Sequence, residues 1–224
     1  MALILNIETT TTNCSVSLSK DGETLVLKEQ ADKGYSHGEK LHLFIDNVFK
    51  QANIEPKDID AIAVSKGPGS YTGLRIGVAS AKGLAYALGK PLISVSTLQA
   101  LALQVEERDG IVIPVLDARR MEVYAAVFNS ENKEVREIKA EILQNDSYHD
   151  YLENGIVYFI GNAVEKTKTV ITHPNARFID DKLPSASTMG IIAEMKYKKS
   201  DIEDVAYFEP FYLKDFVAIK SKKF

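Results

Sequence analysis

Three short segments at the start of the chain, LILNIE (3–8), CSVSLS (14–19) and TLVLKE (24–29), are apolar or alternate apolar with polar positions, and TTTTN and KDG separate them. That pattern predicts three strands, with Asp21-Gly22 marking a hairpin turn. The period then changes. Leu41, Phe44, Ile45, Val48, Phe49 and Ala52 fall on one side of a helical wheel, which predicts a helix over 36–52 that stops before Pro56. DAIAVS (60–65) follows as a buried strand, KGPGSYTG (66–73) as a glycine-rich loop, and 74–88 as a second helix ended by Gly89 and Pro91. PLISVS (91–96) is one more strand, and Thr97 starts a helix running to about Arg108.

After Asp109-Gly110 the opening pattern returns. IVIPVLD (111–117), EVYAAVFN (122–129) and EVREIKAEIL (134–143) read as strands separated by ARR and a polar turn. A short helical piece at 146–153, the strand IVYFIG (156–161), a helix over 162–171 and a last helix over 187–199 complete the chain. Both halves therefore read as three strands, a helix, a strand and a helix, with no repeat at the level of residues. The expected architecture is α/β, with duplicated topology in two lobes, 1–108 and 109–224, and a cleft between them. The first strand of each half ends on an acid, Glu8 and Asp117, and in a duplicated fold the two would face each other across that cleft.

Composition narrows the roles. The 224 residues carry 27 Lys+Arg against 31 Asp+Glu, a formal net charge of −4, so a phosphate-binding surface must be local or borrowed from a partner. No apolar run approaches the ~18 residues that span a bilayer, and MALILNIETT lacks a signal-peptide pattern, so a cytoplasmic protein is expected. A single cysteine, Cys14, excludes an intramolecular disulfide and a CxxC pair, and its strand-like flanks suit a buried thiol.

The densest local signal is KGPGSYTGLRIG (66–77), between a strand and a helix. Such a loop can cradle an anion on the first amides of the helix, with Gly69 and Thr72 as candidates. It lacks the Lys-Ser/Thr pair of a Walker A loop, and Thr72 stands where a dinucleotide fingerprint needs glycine. Arg75 is unusual as a cation near a helix start, which calls for a specific partner: an anion or a neighbouring carboxylate. Glu8 with the threonine turn that includes Thr10 could hold phosphate and a metal, or form a solvated turn of internal hydrogen bonds. Arg119 and Arg120, in the matching turn of the second half, could bind an anion or pair with Glu122. His37 and His42 lie about 140° apart on a helix and cannot share an ion, and His149 and His173 lack a neighbouring ligand set. No G-x-S-x-G elbow occurs.

The second helix points to partners. Leu74, Val78, Ala81, Ala85 and Leu88 form one stripe suited to cover a sheet. On the opposite side lie Ile76, Ser80, Gly83 and Ala87, mostly small residues that let another helix approach, from this chain or from a second protein. Leu43, off the main stripe of the neighbouring helix, adds to that face. A basic ending with Lys214, Lys220, Lys222 and Lys223 is either solvated or a contact for RNA held by a partner.

LNIETTTTNCSVSL, SHGEKLH, KGPGSYTGLRIGVASAKGLA and PVLDARRMEVYAAVF, in this order and spacing, resemble the bacterial TsaB family, once called YeaZ. The resemblance implies a duplicated RNase-H-like, actin-like ATPase (ASKHA) fold and a role in making threonylcarbamoyladenosine beside the anticodon of tRNA. It implies a non-catalytic subunit that supports the transferase TsaD and works with the ATPase TsaE, with tRNA reached only through the complex. It also implies pairing with TsaD, or homodimerisation when alone, through the 36–52 and 74–88 helices, hence through Leu43, Ile76, Ser80, Gly83 and Ala87. Two departures bear on the cleft. Glu8 leads into threonines with no glycine in the turn, and Gly161 stands alone where nucleotide binders of this fold have a glycine-rich loop. Beyond weak ATP and Mg²⁺ binding no cofactor is expected, and no metal. The alternatives are a nucleotide-binding phosphotransferase or ATPase of the same fold, using Glu8, Thr10, Gly69, Thr72, Arg75, Asp117 and Arg119, and a metallopeptidase.

Overall fold

A computed structural model describes residues 2–32, 37–107 and 109–214. The first sheet contains β1 (Leu3–Glu8), β2 (Asn13–Lys20), β3 (Glu23–Ala31), β4 (Ala61–Gly67) and β5 (Leu92–Ser96), in the order β3-β2-β1-β4-β5. The second contains β6 (Ile111–Asp117), β7 (Glu122–Phe128), β8 (Glu134–Ile142), β9 (Val157–Ile160) and β10 (Ala176–Ile179), in the order β10-β9-β6-β7-β8. In each sheet the first three strands are antiparallel neighbours and the last two run parallel to the first. The duplicated topology expected from the polar and apolar pattern is therefore present. β10 escaped that pattern because it is four residues long and none of them is fully buried.

The helices are α1 (His37–Ala52), α2 (Tyr71–Leu88), α3 (Thr97–Ala102), α4 (His149–Asn154), α5 (Val164–Lys168) and α6 (Met189–Lys198). α1 and α2 cover one face of the first sheet, burying Leu41, Phe44, Ile45, Val48, Val78, Ala81 and Ala85 against Leu5, Ile7, Ile62 and Val64. α2 begins three residues earlier than its hydrophobic stripe suggests, because Ser70 caps it by accepting the Gly73 N–H at 3.3 Å. Thr72 and Gly73 thus belong to the helix, and Arg75 lies in its second turn rather than its first. α5 is shorter than the expected 162–171, since Thr169, Val170 and Ile171, just beyond its last residue, are β-branched and disfavour helix. α3 ends at Ala102, well before the expected stop; Arg108 lies outside the described residues, as do Ser36 and the tail lysines 220, 222 and 223.

α3 and the residues just after it stand between the sheets: Leu98, Leu101 and, beyond the helix, Val105 pack with Val112, Leu116, Phe128 and Ile160. The chain after residue 109 is not confined to the second sheet. α6 returns to the uncovered face of the first, where Met189, Ile192 and Ala193 pack on Ile4, Ala61, Ile93 and Val95. The serines that alternate along β2 receive this returning segment. Ser17 Oγ donates to the Ala186 carbonyl at 2.8 Å, and Ser15 Oγ accepts the Ala186 N–H at 2.9 Å. A lobe boundary at 108/109 therefore does not describe where 184–214 sits. Among the described residues no helix is long and apolar enough to cross a membrane.

Candidate functional site

Between the sheets lies a cleft of about 450 Å³, whose lining includes Thr10, Gly69, Thr72, Asp117, Arg119 and Tyr212. Five of these were candidates from the sequence. Glu8 is not among them, and the expected face-to-face pair of acids is not formed. Glu8 is fully buried and turned inward: Oε1 accepts the Thr10 N–H at 2.6 Å and the Thr10 hydroxyl at 2.5 Å, while Oε2 is hydrogen-bonded to Ser65 Oγ. Burial pushes its carboxyl above the usual carboxylate range, against the lowering effect of those hydrogen bonds. Asp117 is exposed at the cleft wall and ion-paired with Lys166. Burial likewise pushes the Cys14 thiol up to about 11, which leaves it protonated.

The threonine turn is packed onto α2. Thr9 Oγ1 donates to the Gly73 carbonyl at 2.8 Å, and Ser70 N donates to the Thr10 carbonyl at 2.7 Å. A Cβ on Gly69 would stand 2.5 Å from the Thr10 oxygen, and one on Gly73 or Gly77 would collide with Thr9. Three glycines four residues apart thus permit close approach, which is what the glycine-rich motif does here. His37, fully buried, places Nε2 2.7 Å from the Thr11 carbonyl, and burial lowers its pKa. The hydroxyls of Thr9 and Thr10 are spent on protein atoms.

Arg75 is outside the cleft lining. Its partner is aromatic rather than an acid: the guanidinium lies 4.2 Å over the Tyr71 ring, and Nε donates to Tyr212 Oη at 3.4 Å. Tyr212 and Lys214 reach the cleft from the end of the described chain, Lys214 pairing with Glu122 of β7. A residue so remote in sequence gives no spacing signal. His149 and His173 prove to be neighbours through Glu153, whose Oε1 lies 3.1 Å from His173 Nε2 and 3.9 Å from His149 Nε2. Their proximity makes no ligand set: among the described residues no group of three or more His, Cys, Asp and Glu could hold a metal ion.

The second candidate surface is the outward side of α1 and α2. Gly83 and Ala87 are exposed, and a Cβ on Gly83 would meet nothing within 4 Å, so no other helix of the described chain covers this face. Leu43 is 64% exposed and, unanticipated, Tyr86 is 84% exposed. Ser80 Oγ lies 3.4 Å from His42 Nε2. Ile76 differs from expectation: it is half-buried against the core beneath α1 and α2. Beside Gly83 a shallow apolar groove runs between Tyr86 and residues 204–206, held by Lys82 Nζ, which donates to the Ala206 and Phe208 carbonyls at 3.1 and 2.9 Å.

Comparison with known proteins places this geometry. The family described as TsaD, tRNA N6-adenosine threonylcarbamoyltransferase, matches residues 29–222. The tRNA threonylcarbamoyladenosine biosynthesis protein TsaB of Bacillus subtilis (strain 168) is 29% identical over 204 residues, covering 89% of this chain and 84% of that protein. TsaB of Escherichia coli (strain K12) is 29% identical over 225 residues, covering 97% and 96%. The solved structure of YeaZ from Pseudomonas aeruginosa superposes with a TM-score of 0.82 at 24% identity, covering 95% of this chain and all of that one. That likeness shows the fold, the duplicated RNase-H-like arrangement of actin-like ATPases. The chain belongs to the TsaD family, and within it to the TsaB proteins.

Proposed function

We propose that the chain is a non-catalytic, cytoplasmic subunit of the machinery that makes threonylcarbamoyladenosine in tRNA, and that it docks a TsaD-type transferase through the outward face of α1 and α2. The observation that carries this reading is the exposed strip of Gly83 and Ala87 flanked by Leu43 and Tyr86, on a helix whose other stripe is already buried against the sheet. A strip of small side chains with large apolar neighbours fits a helix from a second protein. When no TsaD-type protein is present, the same face serves a homodimer. TsaE joins the complex, and tRNA is reached through it, in keeping with the net charge of −4.

Other features support assistance rather than chemistry. Glu8 is sealed beneath Thr10 and Ser65, and the Thr9 and Thr10 hydroxyls are committed to Gly73 and Glu8. Any ATP and Mg²⁺ in the cleft would therefore bind weakly through Thr72, Asp117 and Arg119, without a resident cofactor. Gly83→Arg tests the reading. The position is open and arginine is a better helix former than glycine by ~0.5–1 kcal/mol, so the monomer should fold and melt no lower than the wild type. Co-purification with a TsaD-type partner and threonylcarbamoyladenosine formation on tRNA should both be lost. A fully modified tRNA pool with this variant overturns the docking face.

A further inference from the structure

The β6–β7 turn has a feature that subunit docking does not use. Arg119 and Arg120 both have positive φ, 75° and 51°, a backbone region in which glycine and asparagine are far more comfortable than arginine. The turn is braced from behind. Arg119 N donates to Asp117 Oδ1 at 3.2 Å, and Lys166 Nζ pairs with Asp117 and donates to the Arg120 carbonyl at 3.0 Å. Bracing fixes the backbone and leaves both guanidiniums exposed. The other described arginines are engaged: Arg75 with Tyr71 and Tyr212, Arg136 with both oxygens of Glu141, and Arg177 with the Pro174 carbonyl. Among the described residues Arg119 and Arg120 alone of the arginines have no hydrogen bond, ion pair or ring contact to the guanidinium, Arg119 having only a through-space charge effect on Tyr124.

Their surroundings are aromatic, and the nearby charges are paired, Asp117 with Lys166 and Glu122 with Lys214, which leaves the two guanidiniums as the unbalanced charge. Arg119, Lys214 and Tyr124 line the same cleft mouth as Tyr71 and Tyr212, whose rings are 4.9 Å apart between centroids. Tyr212 is 37% exposed. Arginine forks match phosphate oxygens, and the exposed side of Tyr212 can stack on an unpaired base, a combination suited to single-stranded RNA and not needed for a purely acidic protein surface. We infer that the Arg119–Arg120 turn, with the exposed Tyr212 at the same cleft, contacts the phosphodiester backbone of a looped RNA segment presented by the assembled complex. The inference rests on the function proposed above, and it gives an acidic chain one local RNA contact.

The test compares wild type with the pair Arg119→Asn, Arg120→Gly, each assembled with its TsaD-type partner, by fluorescence anisotropy of labelled tRNA over a range of salt. The substitutions suit the positive φ values, so the variant should melt no lower than wild type and assemble equally well. Its tRNA affinity should fall about tenfold, and the slope of log K against log salt should shrink by about 1–2, as expected when one or two phosphate contacts are lost. Unchanged affinity and slope overturn the inference. So does loss of assembly with the partner at intact fold, which would assign the arginines to a protein surface. A wild-type complex that holds no tRNA overturns the functional reading and the inference with it.

Discussion

Glu8 lies at zero exposure with three hydrogen-bond donors around its carboxyl, and burial still raises its pKa. Between the ordinary carboxylate pKa and the raised one, the folded state therefore binds more proton than the unfolded state. Its contribution is most favourable below the ordinary pKa and is lost as pH rises through the folded one. Glu8→Gln keeps the shape and removes the ionisation. In thermal melts from about pH 4 to 8 it should match wild type in acid and exceed it at neutral pH; a variant no more stable at neutral pH contradicts the buried acid. Glycines give a second contrast. Gly73→Ala drives a methyl into the Thr9 carbonyl, costing about 1–3 kcal/mol, more than the helix propensity that alanine returns. Gly83→Ala meets open space and should stabilise by ~0.5–1 kcal/mol. Opposite shifts in denaturant midpoint check the pair, and equal shifts refute the packing assigned to Gly73. Thr10, Gly69, Thr72, Asp117 and Arg119 were legible as cleft residues because strand ends, turns and the start of α2 place them there. The inward turn of Glu8 was not, since it depends on Ser65, which is 57 residues away.

Element order was largely legible because each element carries its own period: alternation in β2 and β8, a helical stripe in α1 and α2. What the pattern could not convey is the destination of an element. α6 reads as a helix wherever it packs, and only the tertiary structure brings Ile192 and Met189 onto Ile4, Ala61 and Ile93, with Gly190 against Ser19 and the serines of β2 holding the segment before it. The helix should therefore unfold with the first sheet. Ile192→Ala, a truncation at a site 3% exposed, should cost about 2–4 kcal/mol and speed amide exchange in β1, β4 and β5. Lost protection confined to β6–β10 would place α6 with the second sheet instead.

For the whole molecule, two sheets of one topology are joined by α3 and by the chain's return through α6 and residues 203–214. That last segment touches both candidate surfaces: Val205 and Ala206 border the groove beside Gly83, and Tyr212 and Lys214 stand at the cleft. The −4 charge, a property of the sequence alone, fits a subunit whose contact with RNA is local and whose main surface is helical and apolar. The central claim is that this surface docks a TsaD-type protein. Size-exclusion chromatography with light scattering on a mixture of the two proteins tests it most directly. Wild type should elute with its partner as a heterodimer, and Gly83→Arg should elute apart from it as a folded monomer. A heterodimer that persists with Gly83→Arg, or none with wild type, would contradict the claim.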